Sequence, residues 1–147
     1  MLTDQQRRFL DAQRVGHLAT ADERARPHVV PVCFVLTDRG IYITIDEKPK
    51  RISKKPLQRV RNIQANPAVA LIVDTYDEDW TLLGWIMLRG RAEIIESGPE
   101  HRRAQQLLRE RYPQLETMHI EHLPVIAIRI DRVNAWGNLG GSTSTAS

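Results

Sequence analysis

The fold is decided by residues 15–45, VGHLATADERARPHVVPVCFVLTDRGIYITI. Two short polar links, DERARP at 22–27 and DRG at 38–40, divide this stretch into three apolar runs of strand length. Antiparallel strands can be joined by links this short, whereas parallel strands need a crossover of about a dozen residues or more. The stretch therefore predicts an antiparallel meander. Pro31 has no backbone N–H to donate, which predicts an edge or a break in pairing within the second strand.

The rest of the chain adds helices around three further strand-like segments. Thr3 and Gln6 form a capping-box pattern, which predicts a helix over about residues 3–14. Helical spacing returns at 56–66 and 98–113, and apolar runs of strand character occupy 68–76, 81–96 and 124–136. Gly84 and Gly90 are expected to mark bends or bulges in the longest of these strands. Strand and helix do not alternate regularly, so we predict a mainly β fold, a six-stranded antiparallel barrel with peripheral helices.

Length and composition predict a single domain of 147 residues with an ordinary core. We assign residues 2–137 to that domain and residues 138–147, NLGGSTSTAS, to a flexible tail. The chain has no apolar run of membrane-spanning length, and its start, MLTDQQRRFL, does not resemble a signal peptide. We therefore expect a cytoplasmic protein without membrane contact. Its single cysteine, Cys33, lies in an apolar run and cannot form an internal disulfide.

Positive charge is concentrated in residues 46–67, DEKPKRISKKPLQRVRNIQANP. Seven Lys or Arg lie between Lys48 and Arg61, although the whole chain has a formal charge of only +3. Because this stretch connects a predicted strand to a predicted helix, it is a place where backbone N–H groups and cations can surround a phosphate. Nucleic acid is a weaker candidate for the anion, since the stretch carries no aromatic side chain on which bases could stack.

Other reactive side chains do not form a recognisable constellation. The five histidines show no HExxH spacing, and Asp77, Glu78 and Asp79 lie in a turn where carboxylates are usually solvated. No serine lies in a GxSxG context. We therefore predict neither a metal site nor a catalytic side chain, as in reactions whose chemistry is carried by a redox cofactor.

The order of several motifs resembles a known family. VGHLATADERARPHVVPVCFVL is followed by IYITIDEKPKR, LQRVRNIQANPAVALIVD, DEDW, GWIMLRGRAEII and RVNAW. Together these segments resemble the split-barrel flavin-binding proteins related to pyridoxamine 5′-phosphate oxidase. DEKPKR, DEDW and WIMLRGRAE are most similar to the small enzymes that depend on the deazaflavin coenzyme F-420. The resemblance extends over about residues 5–137.

This resemblance implies an FMN-binding type of split barrel that forms a homodimer, with two cofactor sites in grooves between the subunits. It implies that the cofactor ring lies against the second and third strands, and that its phosphate lies on the basic stretch. The residues implied to bind cofactor are Pro31, Val32, Cys33, Ile43, Thr44, Ile45, Lys50, Arg51, Lys55, Arg59 and Trp85, with Lys54 and Arg61 in reserve.

The hypothesis that follows is an oxidoreductase that transfers a hydride between the cofactor and a small, largely apolar acceptor. Coenzyme F-420 is the preferred cofactor, because seven cations exceed what the single terminal phosphate of FMN needs. The alternative is a non-catalytic protein that binds flavin, haem or another tetrapyrrole on the same barrel. Oxidation of pyridoxamine phosphate itself ranks lower, because the C-terminal pattern of the full oxidases is not evident.

Overall fold

The computed structural model describes residues 1–45 and 57–140. Three helices are present in this part of the chain: α1 (Asp4–Ala12), α2 (Gln58–Ala65) and α3 (Pro99–Arg111). Two 3-10 turns follow β5 and α3, at Trp80–Leu82 and Pro113–Thr117. The strands are β1 (Gly16–Ala21), β2 (Pro27–Val32), β3 (Phe34–Thr37), β4 (Gly40–Thr44), β5 (Ala68–Thr75), β6 (Gly84–Ile95) and β7 (Val125–Gly137).

These seven strands form one antiparallel sheet in the order β2-β1-β5-β6-β7-β4-β3. The prediction of a mainly β split barrel with peripheral helices is confirmed, but the predicted count of six strands is wrong by one. The predicted second strand, residues 28–37, breaks at Cys33 into β2 and β3. β2 pairs with β1 while β3 pairs with β4, so the two pieces lie at opposite edges of the sheet. Pro31 lies at an edge, as its missing N–H requires.

The local predictions for the helices are largely confirmed. Thr3 caps α1, since its hydroxyl accepts a hydrogen bond from the Gln6 N–H while the Gln6 side chain accepts one from the Thr3 N–H. In α2 the buried face includes Val60 and Ile63 as expected, but Gln64 is exposed. Asn62 is buried in its place because its amide donates to the Thr20 hydroxyl at 3.0 Å, which joins α2 to β1.

The barrel closes around a core of aliphatic and aromatic side chains. Leu71 of β5 and Ile128 of β7 are completely buried, as the strand pattern predicted. β6 and β7 pair along their full length with a register shift between Arg89 and Gly90, which confirms Gly90 as a bulge position. A Cβ at Gly90 would lie 1.9 Å from the Arg129 carbonyl oxygen, so only glycine allows β7 to approach this closely.

The burial of β5 differs from the prediction for this strand. Its nearly continuous apolar run predicted burial on both faces, but the structure shows alternation, with Val69, Leu71 and Val73 buried and Ala70 and Ile72 only half-buried. The half-buried residues lie on the convex side of the sheet. We call that side the outer face: the surface of β2, β1, β5, β6 and the C-terminal half of β7 that points away from the barrel core. Of the described helices, α2 contacts β1 and β6 from the core side, where the buried Asn62 amide donates to the buried Thr20 hydroxyl, while α1 and α3 contact mainly β3, β4 and the start of β7.

α3 covers the other convex part of the sheet, over β3, β4 and the start of β7, and creates a second core. An ion pair holds the helix there: both carboxylate oxygens of Glu100 accept hydrogen bonds from Arg129 of β7, at 2.7 and 2.9 Å. Tyr42 of β4 donates to the same carboxylate at 2.6 Å. The Arg129 guanidinium lowers the pKa of Glu100 to about 2, and burial raises the pKa of Tyr42. Glu100 is therefore a charged anchor between α3 and the sheet.

Candidate functional site

A pocket of about 130 Å³ lies where β2, β4 and α2 meet, and it is called the cofactor pocket below. Five of the residues implied to bind cofactor line this pocket, together with one residue that the sequence did not indicate. The five are Pro31, Val32, Cys33, Thr44 and Arg59, and the sixth is Val15. Val15 is 47% exposed and precedes β1, so nothing in its local pattern distinguishes it from an ordinary link residue.

The break in the second strand shapes one wall of the pocket. β2 ends at Val32 and β3 begins at Phe34, so Cys33 belongs to neither strand. Pro31 and Val32 pair with His17 and Gly16 of β1 on one side, and because β2 is the last strand of the described sheet, their other side faces no described strand. Such backbone can offer N–H and C=O groups to a flat polar ring, which is the role that the resemblance implied for this segment.

β4 contributes a single polar side chain to the pocket. Ile43 and Ile45 point into the barrel core and are almost completely buried, so only their backbone could contact a ligand. Thr44 points the other way and lines the pocket. Its hydroxyl is buried and has no hydrogen-bond partner among the described residues. A buried hydroxyl without a partner costs free energy, about 1–3 kcal/mol, unless a ligand or water satisfies it.

Arg59 brings positive charge to the same pocket from the first turn of α2. Its side chain is only 5% exposed, which is rare for arginine, whereas the sequence had placed it on the flank of the helix. No described side chain caps the start of α2, so the N–H groups of its first turn add to the positive potential. None of the described residues lining the pocket is a carboxylate. The pocket thus combines donors and positive charge, which suits an oxyanion.

The other predicted cations cannot be placed. Lys50, Arg51 and Lys55, with the reserve Lys54, lie outside the described residues. The second reserve, Arg61, is exposed on α2 and donates to the Gln58 side chain rather than lining the cofactor pocket.

Trp85 lies on the outer face and is not among the residues that line the cofactor pocket. It pairs across the strands with Trp136, which is 53% exposed, and with Asp74 of β5. Two pairs further along the ladder, on the same face, Met87 and Ile72 add apolar side chains, and Val29 of β2 is 63% exposed. The outer face therefore carries two tryptophans and further apolar side chains, together with the charged side chain of Asp74.

A larger cavity, of about 440 Å³, lies at the end of the barrel beside α1. Phe9, Leu82 and Leu139 supply apolar walls, while Arg8 and Asp77 supply charge. Sequence reasoning missed this apolar cavity because its walls come from residues far apart in the chain. Gln13, which lines this cavity, and Val15, which lines the cofactor pocket, are two residues apart in the chain.

Neither a metal site nor a membrane-spanning helix is found among the described residues. They contain no group of three or more His, Cys, Asp or Glu side chains arranged to hold a metal ion. Within the same ranges, 1–45 and 57–140, no helix is both long and apolar enough to cross a membrane.

Comparison with known proteins gives the family. The sequence profile of the family described as pyridoxamine 5′-phosphate oxidase matches residues 2–137. The chain belongs to the pyridoxamine 5′-phosphate oxidase family. A curated relative in this comparison is 5a,11a-dehydrotetracycline/5a,11a-dehydrooxytetracycline reductase from Streptomyces rimosus, which is 30% identical over 117 residues, covering 77% of this chain and 80% of the relative.

Solved structures show the same fold at lower identity. A conserved hypothetical protein from Mycobacterium tuberculosis has a TM-score of 0.73 at 22% identity, covering 97% of this chain and 95% of its own. The heme storage protein HutZ from Vibrio cholerae has a TM-score of 0.69 at 17% identity, with coverage of 88% and 89%. A heme-binding protein from Mycobacterium smegmatis has a TM-score of 0.74 at 20% identity and covers 94% of this chain and 55% of its own. These likenesses confirm the split barrel of the pyridoxamine 5′-phosphate oxidase family.

Proposed function

We propose that this protein is an oxidoreductase that binds coenzyme F-420, or FMN, and reduces a small, largely apolar acceptor. One observation carries the proposal: a buried arginine at the start of α2, a buried hydroxyl without a described partner and residues 31–33 at the end of β2 line the same pocket. The reductase from Streptomyces rimosus supports an oxidoreductase in general. When bound, the cofactor supplies hydride transfer, and the protein supplies orientation, charge and exclusion of water.

We propose a different cofactor-binding role for each group of residues in the pocket. Arg59 and the first turn of α2 would bind the cofactor phosphate, and the Thr44 hydroxyl would donate to it or to the adjoining sugar-alcohol chain. Backbone groups of 31–33 would orient the ring. Lys50, Arg51, Lys55 and their neighbours remain the candidates for the carboxylates that extend beyond the phosphodiester of F-420, and these carboxylates are the reason for preferring F-420 over FMN.

The cofactor pocket is too small to enclose the whole cofactor. Its 130 Å³ is below the roughly 300–1,000 Å³ of typical small-molecule sites. We therefore propose that a second copy of the chain packs on the outer face and completes the site, as the resemblance implied. The exposed apolar side chains support this homodimer, since Val29 is 63% and Trp136 is 53% exposed in the single chain.

The acceptor would occupy apolar space next to the cofactor. The 440 Å³ cavity beside α1 has a suitable volume, and its walls include Phe9, Leu82 and Leu139. Gln13 of this cavity and Val15 of the cofactor pocket are two residues apart in the chain, so we propose that an acceptor bound in the cavity lies near the cofactor.

A second candidate function is a binding protein for haem or another tetrapyrrole without turnover. Two structurally similar proteins are named as a heme storage protein and a heme-binding protein, and this is the observation in its favour. The two functions differ in turnover. An assay with reduced cofactor and unsaturated ketones, quinones or biliverdin as acceptors separates them, because tight binding without oxidation of the cofactor would favour the binding protein.

The cofactor site is tested by titrating F-420 and FMN against three variants. Thr44→Val removes only a hydroxyl that has no described protein partner, so it should leave the melting temperature unchanged and weaken cofactor binding. Arg59→Gln should weaken binding by about 1.5–3 kcal/mol, the scale of a hydrogen bond to a charged group. Arg61→Gln, on the exposed side of the same helix, is the control and should bind normally. Full affinity in both pocket variants would remove the cofactor from this pocket, and FMN binding without F-420 binding would reverse the choice of cofactor.

The homodimer is tested separately by light scattering at known protein concentration. Trp136→Glu places a charge on the outer face and should shift the protein towards monomer. A wild-type protein that is monomeric at micromolar concentration would contradict the dimer.

A further inference from the structure

A second groove, of about 400 Å³, lies between α1 and α3 and shares no lining residue with the cofactor pocket. Three arginines line it: Arg7 from α1, Arg39 from the β3–β4 turn and Arg103 from α3. Leu36 and Leu107 add apolar surface, and we call this site the arginine groove. The groove lies at the turn end of β3 and β4, whereas Cys33 and Thr44 lie at the opposite ends of these strands. At about 3.3 Å per residue, the two sites are roughly 10 Å or more apart.

The cations of the arginine groove are poorly neutralised within the described part of the chain. Asp38 is the single lining carboxylate there, and it approaches Arg7 only to 3.9 Å with a fully exposed side chain. Arg103 donates to the neutral Gln106 side chain at 3.3 Å. Glu100, one turn before Arg103 on α3, also attracts Arg39, but its carboxylate oxygens already accept hydrogen bonds from Arg129 and Tyr42. The groove therefore has a net positive charge that an anion would offset.

β3 adds backbone donors and acceptors, because it is the last strand of the sheet and one of its edges has no neighbouring strand among residues 1–45 and 57–140. At Phe34 this edge is occupied, since the Tyr112 hydroxyl lies 3.1 Å from the Phe34 nitrogen and 2.9 Å from its carbonyl oxygen. Alternate residues of an antiparallel strand direct their N–H and C=O groups to the same edge. Leu36 therefore directs its N–H and C=O into the groove, where no described group forms a hydrogen bond with them.

The groove is closed at the Phe34 end. Arg111, at the end of α3, donates to the carbonyl oxygens of Asp11 at 3.0 Å and Leu10 at 3.4 Å, and so joins the C-terminal ends of α1 and α3. An extended chain could not continue past this connection. A groove that is open only at the β3–β4 turn suits a small molecule rather than a strand of a partner protein.

We propose that the arginine groove is a second ligand site, which binds a small organic carboxylate with an apolar body. The guanidinium groups and the Leu36 N–H match a carboxylate, and guanidinium can bind it through two parallel hydrogen bonds. Leu36 and Leu107 contact the apolar part. The volume of about 400 Å³ lies within the range of small-molecule sites and is three times that of the cofactor pocket. This site is independent of the proposed redox function.

The test is a titration of the full-length protein with 2-naphthoate, followed by two-dimensional NMR of the backbone amides. The expected result is saturable binding with shifts at the Leu36 and Arg39 amides. Arg39→Gln combined with Arg103→Gln should weaken binding at least tenfold while F-420 and FMN titrations stay unchanged. Arg102→Gln is the matched control, because Arg102 is an exposed neighbour on α3 that does not line the groove, and it should bind within twofold of wild type.

Two further probes define the ligand class. The neutral analogue 2-naphthylmethanol should bind at least tenfold more weakly than 2-naphthoate, and inorganic phosphate should also bind more weakly because it cannot use Leu36 and Leu107. Equal binding of phosphate would overturn the assignment to an apolar carboxylate. Absence of 2-naphthoate binding, shifts confined to Val15 and Thr44, or full affinity in the double variant would each overturn the site itself.

Discussion

Replacing Glu100 by glutamine removes the charge that holds α3 on the sheet while keeping the shape of the side chain. In the native protein the Glu100 carboxylate accepts two hydrogen bonds from Arg129, at 2.7 and 2.9 Å, and one from the Tyr42 hydroxyl at 2.6 Å. Its side chain is 21% exposed, so water screens the pair only partly. The glutamine variant keeps one acceptor oxygen but leaves Arg129 with Glu93, at 3.1 Å, as its remaining carboxylate partner.

The size of the effect follows from the pKa of Glu100, which Arg129 lowers from an ordinary 4.5 to about 2. This difference corresponds to at most about 3 kcal/mol of folding free energy at neutral pH. Because the pKa is lower in the folded state, the contribution is complete above pH 4.5 and is lost as the pH falls through about 2. The loss caused by Glu100→Gln should therefore shrink to about 2 kcal/mol at pH 3.5 and to about 1 kcal/mol at pH 2.5.

Urea unfolding of wild type and variant at pH 7 and pH 3.5, at one fixed protein concentration, measures this directly. Glu110→Gln is the control, because Glu110 lies on the exposed side of the same helix and accepts a hydrogen bond from the neutral Gln106 side chain, at 3.1 Å. The control should change the free energy of unfolding by less than about 0.5 kcal/mol. If Glu100→Gln costs no more than the control at pH 7, or costs the same at both pH values, the charged anchor does not stabilise the fold as described.

Two further predictions concern the barrel. Leu71→Ala and Ile128→Ala should each lower the free energy of unfolding by about 2–5 kcal/mol, because both side chains are completely buried, and a loss under about 0.5 kcal/mol in urea titrations would contradict the strand assignments. Gly90→Ala should cost about 3 kcal/mol or more, since its new Cβ would lie 1.9 Å from the Arg129 carbonyl oxygen, and a melting temperature equal to that of wild type would show that β6 and β7 do not pair this closely.

Most secondary structure was predictable from the sequence because its signals are local. The capping box of Thr3 and Gln6, the proline that ends α3 and the short polar links of the meander each act within a few residues. Apolar periodicity likewise identified β5, β6 and β7. The division of the second strand was only half visible: Pro31 indicated a break, but its position at Cys33 depends on β3 choosing β4 as its partner while β2 chooses β1.

Part of the candidate cofactor site was also predictable, because charge and motifs are read from neighbouring residues in the sequence. The sequence concentrated positive charge between residues 48 and 61 and, through the family resemblance, pointed to the residues 31–33. It could not show that Arg59 is buried or that the Thr44 hydroxyl has no described partner, because both facts depend on how α2 packs across the barrel. It placed Trp85 with the cofactor residues, whereas the single chain places Trp85 on the outer face.

The sequence by itself therefore determined the fold class, the family and the concentration of positive charge between residues 48 and 61, since these depend on periodicity, motif order and charge along the chain. Only the tertiary structure decided which side chains from distant parts of the chain lie together in one site. Arg7, Arg39 and Arg103 come from three elements separated by dozens of residues, and the sheet brings them to one groove at the edge of β3. The three arginines lie together because of the order of the strands in the sheet. That order depends on long-range strand pairing and core packing, which no local sequence pattern specifies.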